Sequence, residues 1–184
     1  MILLIGGPAG AGKSTLSLDI SKRLDTIHRI GTGFIREIVR TTTSAVTDPA
    51  LFGFTFSPSP AGNCWDRLVQ QSIRLRPAIY ACIERAYCEG TDLIIEGPHL
   101  VPGLITHEFV SLFVLLVVPD PDAHNEMMHA PTHAKRVVSA ADFAINRALQ
   151  QWLIERANVA KIEVVPNVDR DATCSLVVSR LLFQ

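Results

Sequence analysis

The chain has 184 residues, 48% of them hydrophobic and 19% charged, with a formal net charge of −1. That length suits one domain with a full core, over residues 1–184, and the apolar fraction excludes an intrinsically disordered segment. No Lys/Arg block offers nucleic acid or an acidic membrane anything to attract, and the longest apolar run, Leu112 to Val118, is far too short to span a bilayer.

Met1 to Ile5 is a short apolar run, the pattern of a buried strand. The stretch Gly7-Pro8-Ala9-Gly10-Ala11-Gly12-Lys13-Ser14 fits G-x-x-x-x-G-K-[S/T], and Leu16, Ile20 and Leu24 then recur at helical spacing. Strand, glycine-rich loop and helix in that order are what a phosphate-binding loop requires. Gly10 and Gly12 let backbone N–H groups close around a phosphate. The helix N-terminus adds unpaired donors and the positive end of its dipole. Gly7 to Ser14, with Thr15 after it, is therefore expected to bind a nucleoside triphosphate. Lys13 would reach the β- and γ-phosphates and the Ser14 hydroxyl would ligate Mg²⁺.

His28 to Gly31 predicts a brief second strand, and Phe34 to Arg40 a short helix whose Arg36 and Arg40 share one face. Thr41 to Gly62 carries Pro49, Gly53, Pro58, Pro60 and Gly62 among Phe52, Phe54 and Phe56, which predicts a long irregular loop. A loop of that length in a compact unit is usually functional or mobile. Cys64 to Glu89 reads as helix, with Ile79, Cys82, Ile83 and Ala86 on one stripe. Pro77 either kinks it or begins a second helix, and Gly90 ends it. Leu93-Ile94-Ile95 is a third strand finishing at Glu96-Gly97, and Pro98 to Gly103 is a turn-rich connection. Leu112 to Val118, apolar without interruption, is a fourth strand buried on both faces. Ser139-Ala140-Ala141-Asp142 is a capping-box pattern opening a helix with the stripe Ile145, Ala148, Leu149, Trp152, Leu153. Ile162 to Val165 is the fifth strand and Asp171 to Leu182 the last helix. This alternation predicts an α/β fold of three layers, a five-stranded parallel sheet flanked by helices, with ligands at the carboxyl ends of the strands.

A phosphate-binding loop alone does not separate kinases from switches and motors. The second signal is Asp92 to Gly97, a hydrophobic strand ending in Glu96, where an acid sits near Mg²⁺ and orders its water ligands. No N-K-x-D element follows to recognise guanine, and the chain is short for the added subdomains of most motor ATPases. Lys13, Glu96 and Arg136 are thus the catalytic candidates. Arg36 and Arg40 would hold a substrate phosphate or carboxylate in fork geometry, or else pair through Glu37 on a solvated face. His99, on the loop after Glu96, would donate to substrate or simply pack in a turn. Arg136 and Arg147 are candidates for clamping transferred charge, or surface residues. His124, His129 and His133 lie near one another in sequence, but Pro131 breaks the helix that would align the last two, which disfavours zinc. Trp152 and the Phe52, Phe54 and Phe56 group read as packing rather than stacking platforms. Cys64, Cys82, Cys88 and Cys174 form no C-x-x-C pair, and no basic segment precedes the first apolar run; free thiols and a cytoplasmic setting are expected. The low charge leaves apolar surface that a homodimer interface or an apolar-faced monomer would accommodate equally.

The segment Ile30 to Arg40 (I-G-T-G-F-I-R-E-I-V-R) resembles the stretch after the second strand of 2-phosphoglycerate kinases. So do Ile83-Glu84-Arg85-Ala86 and the run Ile94 to Gly103, whose part from Glu96 (E-G-P-H-L-V-P-G) is unusually specific; weaker likeness continues through Ala148 to Asn167. The resemblance implies a P-loop small-molecule kinase with a nucleoside-kinase type of core and a short mobile lid over about residues 120–138. It implies ATP and Mg²⁺ as cofactors, and transfer of the γ-phosphate to the 3-hydroxyl of 2-phosphoglycerate. Arg36 and Arg40 match arginines of the family. The chain departs from the pattern at Thr32-Gly33, where the family has Thr-Asp, and in a lid whose only basic residues are Lys135 and Arg136. Loss of that acid leaves open another acceptor (a nucleoside, a sugar acid, an antibiotic hydroxyl) or a nucleotide-binding regulatory protein without transfer chemistry.

Overall fold

The computed structural model describes residues 1–26, 28–57, 63–130 and 137–183. Its strands are β1 (Ile2–Gly6), β2 (His28–Gly31), β3 (Leu93–Glu96), β4 (Leu112–Val117) and β5 (Glu163–Pro166). The helices are α1 (Lys13–Leu24), α2 (Thr32–Arg40), α3 (Asp66–Glu89), α4 (Pro121–Met128), α5 (Ala140–Ala160) and α6 (Arg170–Leu182), with a 3₁₀ turn at Pro49–Phe52. All strand pairs are parallel, in the order β2-β3-β1-β4-β5. Central β1 is buried along its whole length, as an uninterrupted apolar run demands when both faces are covered. One face packs Leu4, Ile95, Leu75 and Ile79 with α2 and α3, and the other packs Ile5, Ile94, Ile20 and Val177 with α1 and α6. A third apolar group joins Leu115 and Val117 of β4 to Leu149 and Leu153 of α5. The three-layer parallel architecture read from the alternation of elements is the one observed.

Several local expectations are refined by packing. Helix α3 runs unbroken through Pro77, which neither stops it nor starts a new helix. Pro77 lies on the exposed side, where the carbonyl it leaves without an N–H donor meets water. After Pro119 the chain forms α4, which the sequence reading left as lid; Asp120 accepts from the Ala123 N–H and Pro121 sits in the first turn, both favourable helix openings. The lid expected over about 120–138 therefore begins as helix, and its residues 131–136 lie outside those described, Arg136 and His133 among them. The capping box at Ser139 and Asp142 is present in both directions. The α5 stripe, however, is rotated: Asn146, Leu149, Gln150, Leu153 and Ala157 are buried, whereas Ala148 is exposed. Two polar side chains thus occupy the inward face, and both have structural partners at the strand ends. Trp152 stacks on Trp65 at 5.8 Å, a packing pair. Among the described residues no helix is long and apolar enough to cross a membrane.

Candidate active site

The phosphate loop leaves β1 at Gly6 and enters α1 at Lys13, with Gly10 at φ 74° and Gly12 at φ 85°. Both need the left-handed backbone, and a Cβ on Gly10 would run into Met128, so the loop is fitted closely to α4. Three of its carbonyls accept from side chains: Lys13 Nζ donates to Pro8 O (2.5 Å), Asn146 Nδ2 to Ala9 O (2.9 Å) and Asn167 Nδ2 to Ala11 O (2.9 Å). Asn146 Oδ1 also accepts from the Ala9 N–H at 3.2 Å, so one amide side chain pairs with the loop as a neighbouring strand would. His124, fully buried, completes this support: Nε2 meets Ala9 O at 2.7 Å while Nδ1 accepts from Arg147 Nη1 at 3.2 Å. Burial lowers the His124 pKa, and the nearby Arg147 and Lys13 charges add to that, against the raising effect of its bond to Ala9. The ring is thus neutral, with the proton on the nitrogen facing Ala9. Arg147, a candidate charge clamp from sequence, instead donates to Val118 O and Pro119 O at the end of β4. His129 bonds Asn125 O within α4. Among the described residues no three His, Cys, Asp or Glu side chains gather as metal ligands.

The register of β1 and β3 sets Ile5 opposite Glu96, which brings the Glu96 carboxylate to the mouth of the loop. Ser14 Oγ donates to Glu96 Oε1 at 2.8 Å. A hydroxyl and a carboxylate oxygen at this spacing are hard ligands that suit Mg²⁺, directly or through its waters. Both residues line a cavity of about 770 Å³ that opens along the carboxyl ends of the strands, within the range of roughly 300–1,000 Å³ typical of small-molecule sites.

The far wall of that cavity contains Gly33, Arg36, Glu37 and His99. Arg36 Nε and Nη2 donate to Glu37 Oε1, and Nη1 to Gly53 O at 3.0 Å. Burial pushes the Glu37 pKa up, but hydrogen bonds from Arg36 and Arg40 outweigh it and hold the carboxyl below its usual range. Arg40 donates to Glu37 Oε2 at 2.6 Å, stacks over Phe52 at 4.3 Å and does not line the cavity. The two arginines share a helix face as read from their spacing, yet that face turns only Arg36 toward the site.

His99 is 2% exposed and both its ring nitrogens have protein partners. Gln71 Nε2 donates to Ala50 O (2.6 Å) and Gly53 O (2.9 Å), which turns Gln71 Oε1 toward the ring. Oε1 then accepts from His99 Nε2 at 2.9 Å, and Nδ1 accepts from the Thr32 hydroxyl at 2.8 Å. Burial, with the Arg36 and Lys13 charges, pushes the His99 pKa down to about 3. Gly97 makes the arrangement possible: at φ 150° it carries no Cβ, which would overlap the Thr32 hydroxyl. Gly33 has open space around a notional Cβ, so its lack of a side chain is not a packing requirement. The sequence gives no signal for Asn146 and Gln71, polar residues that hydrophobic periodicity discards, nor for Arg29, which it assigns only to a strand. His124, weighed there as a metal ligand beside His129 and His133, instead supports the loop.

No family model matches the chain. It is 30% identical over 201 residues to the 2-phosphoglycerate kinase of Pyrococcus horikoshii, covering 99% of the chain and 64% of that protein. To the 2-phosphoglycerate kinase of Methanococcus maripaludis it is 28% identical over 194 residues, covering 94% of the chain and 61% of that protein. The chain thus spans less than two thirds of the length of the curated relatives it matches. The resemblance read from Ile30 to Arg40 and Glu96 to Gly103 therefore extends over nearly the whole chain. Among solved structures it is similar to a shikimate kinase from Acinetobacter baumannii in complex with shikimate, with TM-score 0.56 and 12% identity over 98% of the chain and 92% of that protein. It is also similar to a deoxyadenosine kinase from M. mycoides, with TM-score 0.57 and 13% identity over 99% of both chains. At these identities the likeness is one of fold, and the fold is that of the P-loop kinases, nucleoside-kinase type included.

Proposed function

We propose that the chain is an ATP-dependent small-molecule kinase that transfers the γ-phosphate to a hydroxyl of a small anionic acid, 2-phosphoglycerate being the first candidate. The observation carrying this is the 2.8 Å contact of Ser14 with Glu96 at the mouth of the phosphate loop, inside a cavity that continues to Arg36 and Gly33. The near full-length similarity to 2-phosphoglycerate kinases supports it. Gly7 to Thr15 hold the triphosphate, and Lys13 moves from Pro8 O onto the β- and γ-phosphates when they are bound. Ser14 and Glu96 would hold Mg²⁺, directly or through its waters, and the ion would supply charge neutralisation at the phosphates. The acceptor oxygen forms its bond to the γ-phosphorus as the β–γ bridging P–O bond breaks and ADP leaves. The hydroxyl proton passes to solvent, since Gly33 carries no acid and a loose transition state needs little help from a base. Arg36 is the cation of α2 placed to meet acceptor charge, Arg40 supports it through Glu37, and His99 fixes the wall through Thr32 and Gln71. The free thiols of Cys64, Cys82, Cys88 and Cys174 support a cytoplasmic setting.

One observation favours a second reading. Phe34, 76% exposed, and Phe54 line the same cavity, an apolar wall that 2-phosphoglycerate does not use and a nucleoside acceptor would. Radiolabelled ATP with a panel of acids and nucleosides separates the two, with Lys13→Ala as the blank. Transfer to 2-phosphoglycerate that increases in Gly33→Asp supports the first reading. Indifference to 2-phosphoglycerate in both proteins removes that acceptor, and ATP turnover independent of every acceptor removes the kinase reading.

A further inference from the structure

We infer that Arg29 of β2 is a further anion-binding residue of the acceptor cavity, beside Arg36, gripping a carboxylate or phosphate of the acceptor through its Nε–Nη2 edge. The inference rests on the reading of this cavity as a kinase's acceptor site, and adds a residue that neither the family motif nor the helix-face argument assigns. Arg29 is exposed and lies in the cavity wall beside Gly31 and Leu18. Its Nη1 donates to Ser14 O at 3.2 Å and to Ser17 Oγ at 3.1 Å, which uses both hydrogens of that nitrogen. The Nε–H and Nη2 hydrogens remain, and among the described residues they have no acceptor and Arg29 has no carboxylate within ion-pair distance.

The contrast with its neighbours makes the point chemical. Arg36 already spends the same edge on Glu37, and Arg40 spends its charge on Glu37 and Phe52. Arg29 instead presents the geometry that matches a carboxylate or phosphate in two parallel bonds. Its anchorage to α1 removes in advance much of the rotamer freedom that such a grip would otherwise cost. A strut tying β2 to α1 would need only the Nη1 bonds; the open fork is surplus to that task.

The test uses the protein with ADP bound, so that the phosphate loop is filled and a second anion reports on the cavity. Calorimetry then measures binding of 2-phosphoglycerate and, separately, of inorganic phosphate. Arg29→Lys keeps the charge and loses the fork; it is expected to weaken 2-phosphoglycerate about tenfold or more, the scale of a charged hydrogen-bond pair, with ADP affinity and melting temperature essentially kept. Ser17→Ala breaks a strut bond but leaves the fork, and is expected to bind 2-phosphoglycerate as the wild type does. The inference is overturned if Arg29→Lys binds as tightly as wild type, if Ser17→Ala loses as much as Arg29→Lys, or if the wild type binds neither probe. Failure of the kinase reading looks different: Arg29-dependent binding of 2-phosphoglycerate with no phosphoryl transfer from ATP.

Discussion

Glu96 and His99 stand three residues apart on one loop and do opposite things with charge. Glu96 meets Ser14 at 2.8 Å at the mouth of the phosphate loop, where the two are proposed to hold Mg²⁺. Replacing its carboxylate with an amide keeps the size and removes the charge proposed to order Mg²⁺. Glu96→Gln is therefore expected to lower kcat by about tenfold or more, ~1.4 kcal/mol of barrier, while ADP affinity changes less. Single-turnover rates beside ADP titrations check this, and a rate within about twofold of wild type would remove Glu96 from the metal site. His99 is neutral because it is buried, with its pKa down at about 3. The unfolded chain binds this proton near pH 6.5 and the folded one does not, so the unfolded state holds more protons between those values. The contribution of His99 to stability is thus full above pH 6.5 and falls as pH is lowered toward 3. Its full extent is on the order of 5 kcal/mol. Denaturant unfolding between pH 7 and pH 4 is expected to show a shallower acid loss in His99→Gln than in wild type. His124, also lowered by burial, works in the same direction.

Helix α5 is the element whose role the hydrophobic pattern hides. Its inward face carries Asn146 against both backbone groups of Ala9, and Gln150 against both of Val118, at 3.0 Å to the N–H and 2.9 Å to the carbonyl. Each amide pairs with the backbone just past the end of an inner strand as a neighbouring strand would, so the helix seats the phosphate loop and caps β4 at once. Removing either leaves buried or half-buried backbone groups short of a partner, which costs about 1–3 kcal/mol. Asn146→Ala and Gln150→Ala are expected to lose similar stability in urea melts. Only Asn146→Ala should also raise the Kd for ADP, because only Asn146 touches the loop. Equal nucleotide affinity in the two variants would show that the Ala9 contact is structural alone.

At the scale of the whole molecule, the site is a seam between parts distant in sequence: the loop from β1, Glu96 from β3, Arg36 from α2 and Asn146 from α5. Ligand that binds only the assembled seam should stabilise the entire fold. MgADP at 100 times its Kd is expected to add about 2.7 kcal/mol, and chelating the metal should reduce the melting shift if Ser14 and Glu96 hold Mg²⁺. Lys13→Ala should abolish most of it. The sequence by itself determined the succession of the five strands and of every helix but α4, the parallel sheet and the loop at Gly7 to Ser14, because period and glycine punctuation act between residues a few positions apart. It also placed Glu96 at a strand end and Arg36 beside Arg40 on one face. Only the tertiary structure decided which of those arginines faces the cavity, that Pro77 is harmless on a solvated side, and that Asn146 and Gln71 are structural partners rather than surface. Those outcomes turn on contacts such as Asn146 with Ala9, 137 residues apart, and Glu96 with Ser14, 82 apart. Helical spacing says which side chains are neighbours along one element; it carries no information on what the packed sheet will set opposite them.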